Sequence, residues 1–210
     1  MTHTLIRTTL PLIAAILVAA PAAAQQVDPR LGRLDAATRP TVAALLDSAR
    51  TALLPTEPLV QRALEGATKH ASGEVIVAAV RRLAADLGRA RDALGSTASP
   101  AELTAGAAAL RAGASPTILA ELRHARREPL TVPLAVLADL VASGVPVDSA
   151  ATAVLGLAAR ARDADLVEFR RAVERDIALG APPAAATAAA AAAADVFVNA
   201  GARQQRPGRP

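Results

Sequence analysis

An all-α protein is the fold class that the sequence predicts, built from antiparallel helical hairpins as a repeat-like stack or a compact multi-helix bundle of about nine helices. Apolar residues recur three and four positions apart in each segment between Val42 and Ile177, which is the spacing of one helix face. No run of five residues alternates in the way that predicts a strand. Three similar breaks divide the second half of the chain, at residues 113–116, 144–146 and 180–182.

Each break combines a glycine with a proline that follows within three residues. This order is expected at a break between two helices. Glycine just past a helix end tolerates the left-handed conformation of the cap. Proline suits the first position of a helix, because the N–H that it lacks would have no partner within the helix. We therefore predict that Gly144 adopts a left-handed cap. An aliphatic residue stands three positions before each glycine, namely Leu110, Val141 and Ile177.

The predicted helices follow one another closely. Asp35 or Thr38 caps the first helix, which runs through Leu53, and the second ends near Lys69. Ser72 caps a third helix, and residues 99–102 form a capping box that starts the fourth. Later starts are expected near Pro116, Val132, Val147, Asp163 and Pro183. This spacing of about 16 residues is typical of α-hairpin arrays, while short loops also suit a plain antiparallel bundle, so both architectures stay open.

The N-terminal residues indicate export. An apolar run at residues 10–20 precedes Ala22-Ala23-Ala24, a combination typical of a cleaved signal peptide with its cleavage site after Ala24. We therefore divide the chain into a signal peptide (1–24), a polar lead-in (25–34), a single all-helical domain (35–198) and a disordered basic tail (199–210). No later segment is long and apolar enough to predict a transmembrane helix, so the expected location is periplasmic or secreted.

Composition argues against several classes of function. The 210 residues include no Cys, Trp or Tyr and two Phe, so disulfides, thiolate metal sites and aromatic stacking of nucleic-acid bases are not expected. His70 and His124 are the histidines of the mature chain, and neither has partners at metal-ligand spacing. We expect no metal, no cofactor, no nucleic-acid partner and no enzymatic activity.

One polar stripe is the candidate partner-binding site. Glu57, Gln61, Glu65 and Lys69 recur every four residues along the second helix, opposite its apolar side. Glu65 precedes Lys69, the single lysine of the chain, by four positions, the favourable order for an ion pair. The alternative is a solvated pair with no partner.

The sequence therefore suggests an exported helical interaction or scaffold protein, whose partner is an unknown protein or envelope component. The alternative is a carrier of an apolar small molecule or lipid in a cleft between helices.

Overall fold

The computed structural model describes residues 28–127 and 129–204, with side chains described through residue 196. A short 3-10 helix, Pro29–Arg33, comes first. Nine α-helices follow in this part of the chain: α1 (Thr38–Thr51), α2 (Glu57–Thr68), α3 (Gly73–Leu94), α4 (Pro100–Ala112), α5 (Pro116–Ala125), α6 (Thr131–Ala142), α7 (Val147–Ala158), α8 (Asp163–Ala178) and α9 (Pro183–Gln204). The described residues contain no strand, which confirms the all-α prediction.

The helices pack compactly as a multi-helix bundle. α6 packs against both α4 and α8, while α3, α5, α7 and α9 contact one another in series. α3 also packs against α1, α2 and α4, so it is the helix that joins the N-terminal part to the rest. The bundle is one of the two architectures that the sequence predicts.

Leucine, valine and alanine make up most of the core. The largest fully buried side chains are all leucines, and small residues fill the positions between them. A Cβ atom on Gly106 would lie 3.1 Å from both Ala90 Cβ and Leu94 Cδ1. The missing side chain thus allows α4 to approach α3 closely, as small interface residues do in helix packing.

The three predicted glycine caps are present. Gly113, Gly144 and Gly180 have φ values of 118°, 89° and 96°. Their N–H groups donate to the carbonyl oxygens three residues back, those of Leu110, Val141 and Ile177, at 3.1, 3.0 and 2.9 Å. The residue after each glycine donates to a carbonyl five residues back, which completes the two-bond Schellman arrangement.

The prolines play two different parts. Pro100 and Pro116 occupy the first helical position, as predicted. Pro146 and Pro182 instead lie just before α7 and α9, and their carbonyl oxygens accept the N–H groups of Ala150 and Ala186. Both prolines are therefore N-cap residues, since the carbonyl oxygen of an N-cap residue accepts the first hydrogen bond of the helix.

Two helices end in a left-handed residue that is not glycine. Leu53 has φ 55° and His70 has φ 54°, and their N–H groups donate to the carbonyls of Arg50 and Ala67. α1 therefore ends at Thr51, two residues before the predicted end at Leu53. A β-carbon makes this conformation unfavourable by about 1–2 kcal/mol, so both positions carry backbone strain.

Both ends of the predicted helical domain differ in detail from the expectation. Leu31 and Leu34 are buried, so the segment predicted as a polar lead-in adds two side chains to the core. Asp35 Oδ1 accepts the N–H groups of Ala37 and Thr38 at 3.0 and 2.8 Å, which makes it the capping residue of α1. The backbone of α9 continues through Gln204, so the predicted tail boundary at residue 199 lies within this helix.

Glu102 joins three helices from a buried position. Its Oε2 accepts the Ser99 N–H at 2.8 Å, and its own N–H donates to Ser99 Oγ at 3.2 Å, which confirms the capping box. Its Oε1 accepts Arg123 Nη2 at 2.7 Å and the Leu130 N–H at 2.9 Å. Burial raises the pKa of Glu102, but the hydrogen bonds from Ser99, Leu130 and Arg123 outweigh this effect and lower the pKa to about 2.

A second buried charge ties the next pair of loops together. Arg126 is 4% exposed and donates to the carbonyl oxygens of Ala158 and Ala161 at 3.4 and 3.0 Å. Its Nη2 lies 2.7 Å from Asp163 Oδ1, at the start of α8. The loop after α5 is therefore fixed to the end of α7 and the beginning of α8.

The helix caps make a first prediction. Gly144→Val should lower the free energy of unfolding by about 1 kcal/mol or more, because a β-branched residue resists positive φ. The nearest atom to a Cβ at this position lies 4.0 Å away, so the effect would come from the backbone. Leu53→Gly should raise the free energy of unfolding by up to about 1 kcal/mol, since Leu53 is already 76% exposed and loses little burial.

Urea unfolding followed by far-UV circular dichroism measures both changes. Gly88→Ala is the control, because Gly88 lies inside α3 with nothing within 4 Å of an added Cβ. This replacement should stabilise by about 1 kcal/mol. A loss of stability in Leu53→Gly, or none in Gly144→Val, would contradict the role of the caps.

The Glu102 network makes a second prediction. Glu102→Gln should lower the free energy of unfolding by about 3 kcal/mol at neutral pH, because Arg123 then loses the buried carboxylate with which it is paired. The folded-state pKa is depressed, so the stabilisation is complete above the ordinary value of 4.5 and is lost as the pH falls towards 2. The difference between wild type and Glu102→Gln in urea unfolding should therefore shrink between pH 4.5 and 2.

Glu168→Gln is the matched control, since Glu168 is exposed and pairs with Arg171 on the surface of α8. It should change stability little at any pH. A pH-independent difference between wild type and Glu102→Gln would show that the carboxylate is not the stabilising species.

Candidate functional site

α2 presents the predicted polar stripe on its outer face. Leu59, Val60 and Ala63 are buried on the side that faces the core. The side chains on the opposite side are all exposed, namely Glu57, Gln61, Glu65 and Lys69. Helical periodicity therefore places the four residues on one accessible surface, as the sequence predicts.

The N-terminal half of the stripe is built around Arg30. Its Nη1 and Nη2 donate to the two carboxylate oxygens of Glu57 at 2.8 and 2.7 Å, and Nη2 also lies 2.7 Å from Asp28 Oδ2. Gln61 Nε2 donates to Glu57 Oε1 at 2.7 Å. The hydrogen bonds from Arg30 and then from Gln61 lower the pKa of Glu57 to about 2, so this carboxylate is ionised at any physiological pH.

The C-terminal half is built around Glu65. Lys69 Nζ lies 2.7 Å from Glu65 Oε1, and Arg62 Nη1 lies 3.0 Å from Oε2. The expected pair between Glu65 and Lys69 is therefore present. The hydrogen bond from Lys69 is the main cause that lowers the pKa of Glu65, and the charge of Arg62 adds to it.

The sign of the charge changes along the stripe. At the N-terminal end one guanidinium is shared by the carboxylates of Asp28 and Glu57, which leaves one negative charge. At the other end one carboxylate is shared by the cations of Arg62 and Lys69, which leaves one positive charge. The stripe is thus a dipolar surface whose side chains are held in place by their neighbours.

An open apolar groove lies beside the negative end. Its volume is about 370 Å³, and its lining comes from the α1–α2 and α3–α4 connections: Arg50, Leu53, Leu54, Pro55, Thr56, Ala98, Pro100 and Leu103. Leu53, one of the two strained cap residues, is 76% exposed at this groove. The groove was not predicted, because its two sides are more than 40 residues apart in the sequence.

Other residues with possible chemistry do not converge. His70 and His124 are exposed, and the described part of the chain contains no group of three His, Asp or Glu side chains arranged to hold a metal ion. The paired carboxylates of α8 are engaged by arginines: Asp163 by Arg126, Asp165 by Arg162, Glu174 by Arg170 and Asp176 by Arg175. Each of these four carboxylates therefore takes part in an ion pair.

Comparisons of this chain with family models, with curated proteins and with solved structures give no match. Across residues 28–127 and 129–204, none of the helices combines the length and the apolar character needed to cross a bilayer.

Proposed function

We propose that this chain is an exported, non-enzymatic helical scaffold that binds a protein or another component of the cell envelope. The contact surface would combine the polar stripe of α2 with the adjacent apolar groove. The observation that carries this proposal is the ordered surface charge beside exposed apolar area. Charged groups set the register and rate of association, while apolar contacts at the centre supply affinity.

The geometry supports a preorganised contact. Glu57 is held by Arg30 and Gln61, and Glu65 by Arg62 and Lys69, all within 3.0 Å. A partner that meets these groups would order few additional side chains, and the entropic cost of binding is correspondingly smaller. The packing of alternate helices on one another also suits consecutive α-hairpins, and we propose that the bundle is built from repeats of this unit.

A carrier of an apolar small molecule or lipid is the second candidate, favoured by the lining of the groove. Seven of the eight lining residues are uncharged. The groove is open to solvent, however, whereas carriers enclose most of the surface of their ligand. We therefore place the scaffold first.

Export makes a third prediction. If residues 1–24 are a cleaved signal peptide, then the product recovered from the periplasm or the medium should have the intact mass of a chain that begins at Gln25. Mass spectrometry of the purified product measures this directly. Recovery of the full-length chain in the membrane fraction would contradict the cleavage site.

The stripe makes a fourth prediction. Two double variants, Glu57→Ala/Gln61→Ala and Glu65→Ala/Lys69→Ala, should fold normally, because exposed ion pairs add little stability. Each should reduce co-purification of the envelope component that the wild type retains, since the first removes the negative end of the surface and the second removes the ordered Glu65–Lys69 pair at its positive end. Quantitative mass spectrometry of cross-linked pull-downs measures the retained components.

The matched control is Glu168→Ala/Arg171→Ala, which removes an exposed pair with the same 2.7 Å contact from α8. It should retain every partner. If all three variants behave like the wild type, then the stripe is a solvated face with no role in binding. Retention of an apolar ligand by all variants, and its loss in Leu103→Gln at the groove, would favour the carrier instead.

A further inference from the structure

Charge is distributed unequally along the chain. Residues 28–130 contain 14 Lys and Arg against 11 Asp and Glu, a net charge of +3, whereas residues 131–210 contain 8 against 8, a net charge of zero. The excess of positive charge therefore lies in the first of these two regions. Opposite charges on separate surfaces of one molecule attract each other in a second copy.

The positive region contains two clusters of the same design. In the first, Glu65 lies between Arg62 and Lys69. In the second, Asp86 lies 2.6 Å from Arg89 Nη2 and 3.7 Å from Arg111 Nε. Each carboxylate is shared by two cations, so each cluster keeps one positive charge.

The second cluster turns its positive charge outwards. The Asp86 side chain is 11% exposed, whereas those of Arg89 and Arg111 are 57% and 44% exposed. The two clusters lie on neighbouring helices, since α3, which carries Asp86 and Arg89, packs against both α2 and α4. We call Arg62, Lys69, Arg89 and Arg111 the positive surface.

α6 and α8 carry the opposite arrangement. Arg170 Nη1 lies 3.2 Å from Asp139 Oδ2 and 3.0 Å from Glu174 Oε1. Here one cation is shared by two carboxylates, which leaves one negative charge. The side chains of Asp139 and Glu174 are 50% and 35% exposed. We call these two carboxylates the negative surface.

The fold brings one residue of each surface, Arg111 and Asp139, to the same end of the bundle. Leu130, just before α6, donates to Glu102 in the first turn of α4, so α4 and α6 begin at the same end of the bundle. Arg111 lies in the last turn of α4 and Asp139 in the last turn of α6, on helices that pack against each other. The two signs thus meet near the same end of neighbouring helices.

From this placement we infer that two copies of the chain associate about a two-fold axis, with the positive surface of each copy against the negative surface of the other. A two-fold contact uses both surfaces twice and closes after two copies. Arg62 and Lys69 also belong to the C-terminal half of the stripe, so this dimer would cover part of the surface proposed to bind a partner, but its formation requires no third component. Purified protein alone tests it, whereas the co-purification experiment tests the other proposal.

Sedimentation velocity of the purified mature chain provides the first measurement. A dimer should form at low ionic strength and dissociate as salt is raised, because exposed charges are screened within about 8–10 Å at physiological salt. A monomer at every concentration and salt level would overturn the inference. A dimer that does not respond to salt would overturn it too, because such a dimer would have another interface.

Charge reversal provides the decisive test. Arg62→Glu/Lys69→Glu makes both surfaces negative, and Asp139→Lys/Glu174→Lys makes both positive. Each variant alone should self-associate at least about tenfold more weakly than the wild type, since like charges then face each other. An equimolar mixture of the two should form a mixed dimer, because every contact again joins opposite charges.

Arg33→Glu/Arg81→Glu is the control with the same change of net charge as Arg62→Glu/Lys69→Glu, at two exposed arginines outside both surfaces. It should dimerise like the wild type. Equal weakening in this control, or no association in the mixture, would contradict the paired surfaces. If a double reversal does not fold by circular dichroism, then the single changes Lys69→Glu and Asp139→Lys, at side chains 70% and 50% exposed, test the same contact with a smaller expected weakening.

Discussion

The buried carboxylate of Glu102 is the interaction on which the arrangement of the central helices depends. It caps the helix that contains it, accepts the guanidinium of Arg123 from the end of α5 and accepts the Leu130 N–H just before α6. A buried charge is tolerated only where hydrogen bonds satisfy it, so the three elements must meet at this point. Because α4 and α6 then start together and run in the same direction, the surface charges at their far ends become neighbours.

A core of small aliphatic side chains imposes a second constraint. Close packing at Gly106 against Ala90 and Leu94 leaves little room for adjustment, and interiors this dense transmit any change in volume to their surroundings. Specific geometry therefore has to come from helix ends and buried polar groups. The Schellman caps and the contacts of Arg126 with the α7–α8 connection supply it.

Local rules were sufficient for the features that depend on neighbours in sequence. The glycine cap at Gly144, the capping box of Ser99 and Glu102 and the pair of Glu65 with Lys69 each follow from spacings of a few residues. The cap at Leu53 was missed, because no local rule places a leucine at positive φ. Contacts over long sequence separations were missed as well: Arg30 lies 27 residues from Glu57, and the groove combines two loops that only the tertiary fold brings together.

The shared ion pairs explain why part of the surface charge remains uncancelled. An exposed one-to-one pair adds little stability and cancels its own field. A carboxylate between two cations, as in Arg62–Glu65–Lys69, orders both side chains and still leaves one charge uncancelled. The reverse arrangement around Arg170 leaves the opposite sign. These residual charges act over a Debye length. They therefore affect how two molecules orient as they meet more than they affect folding.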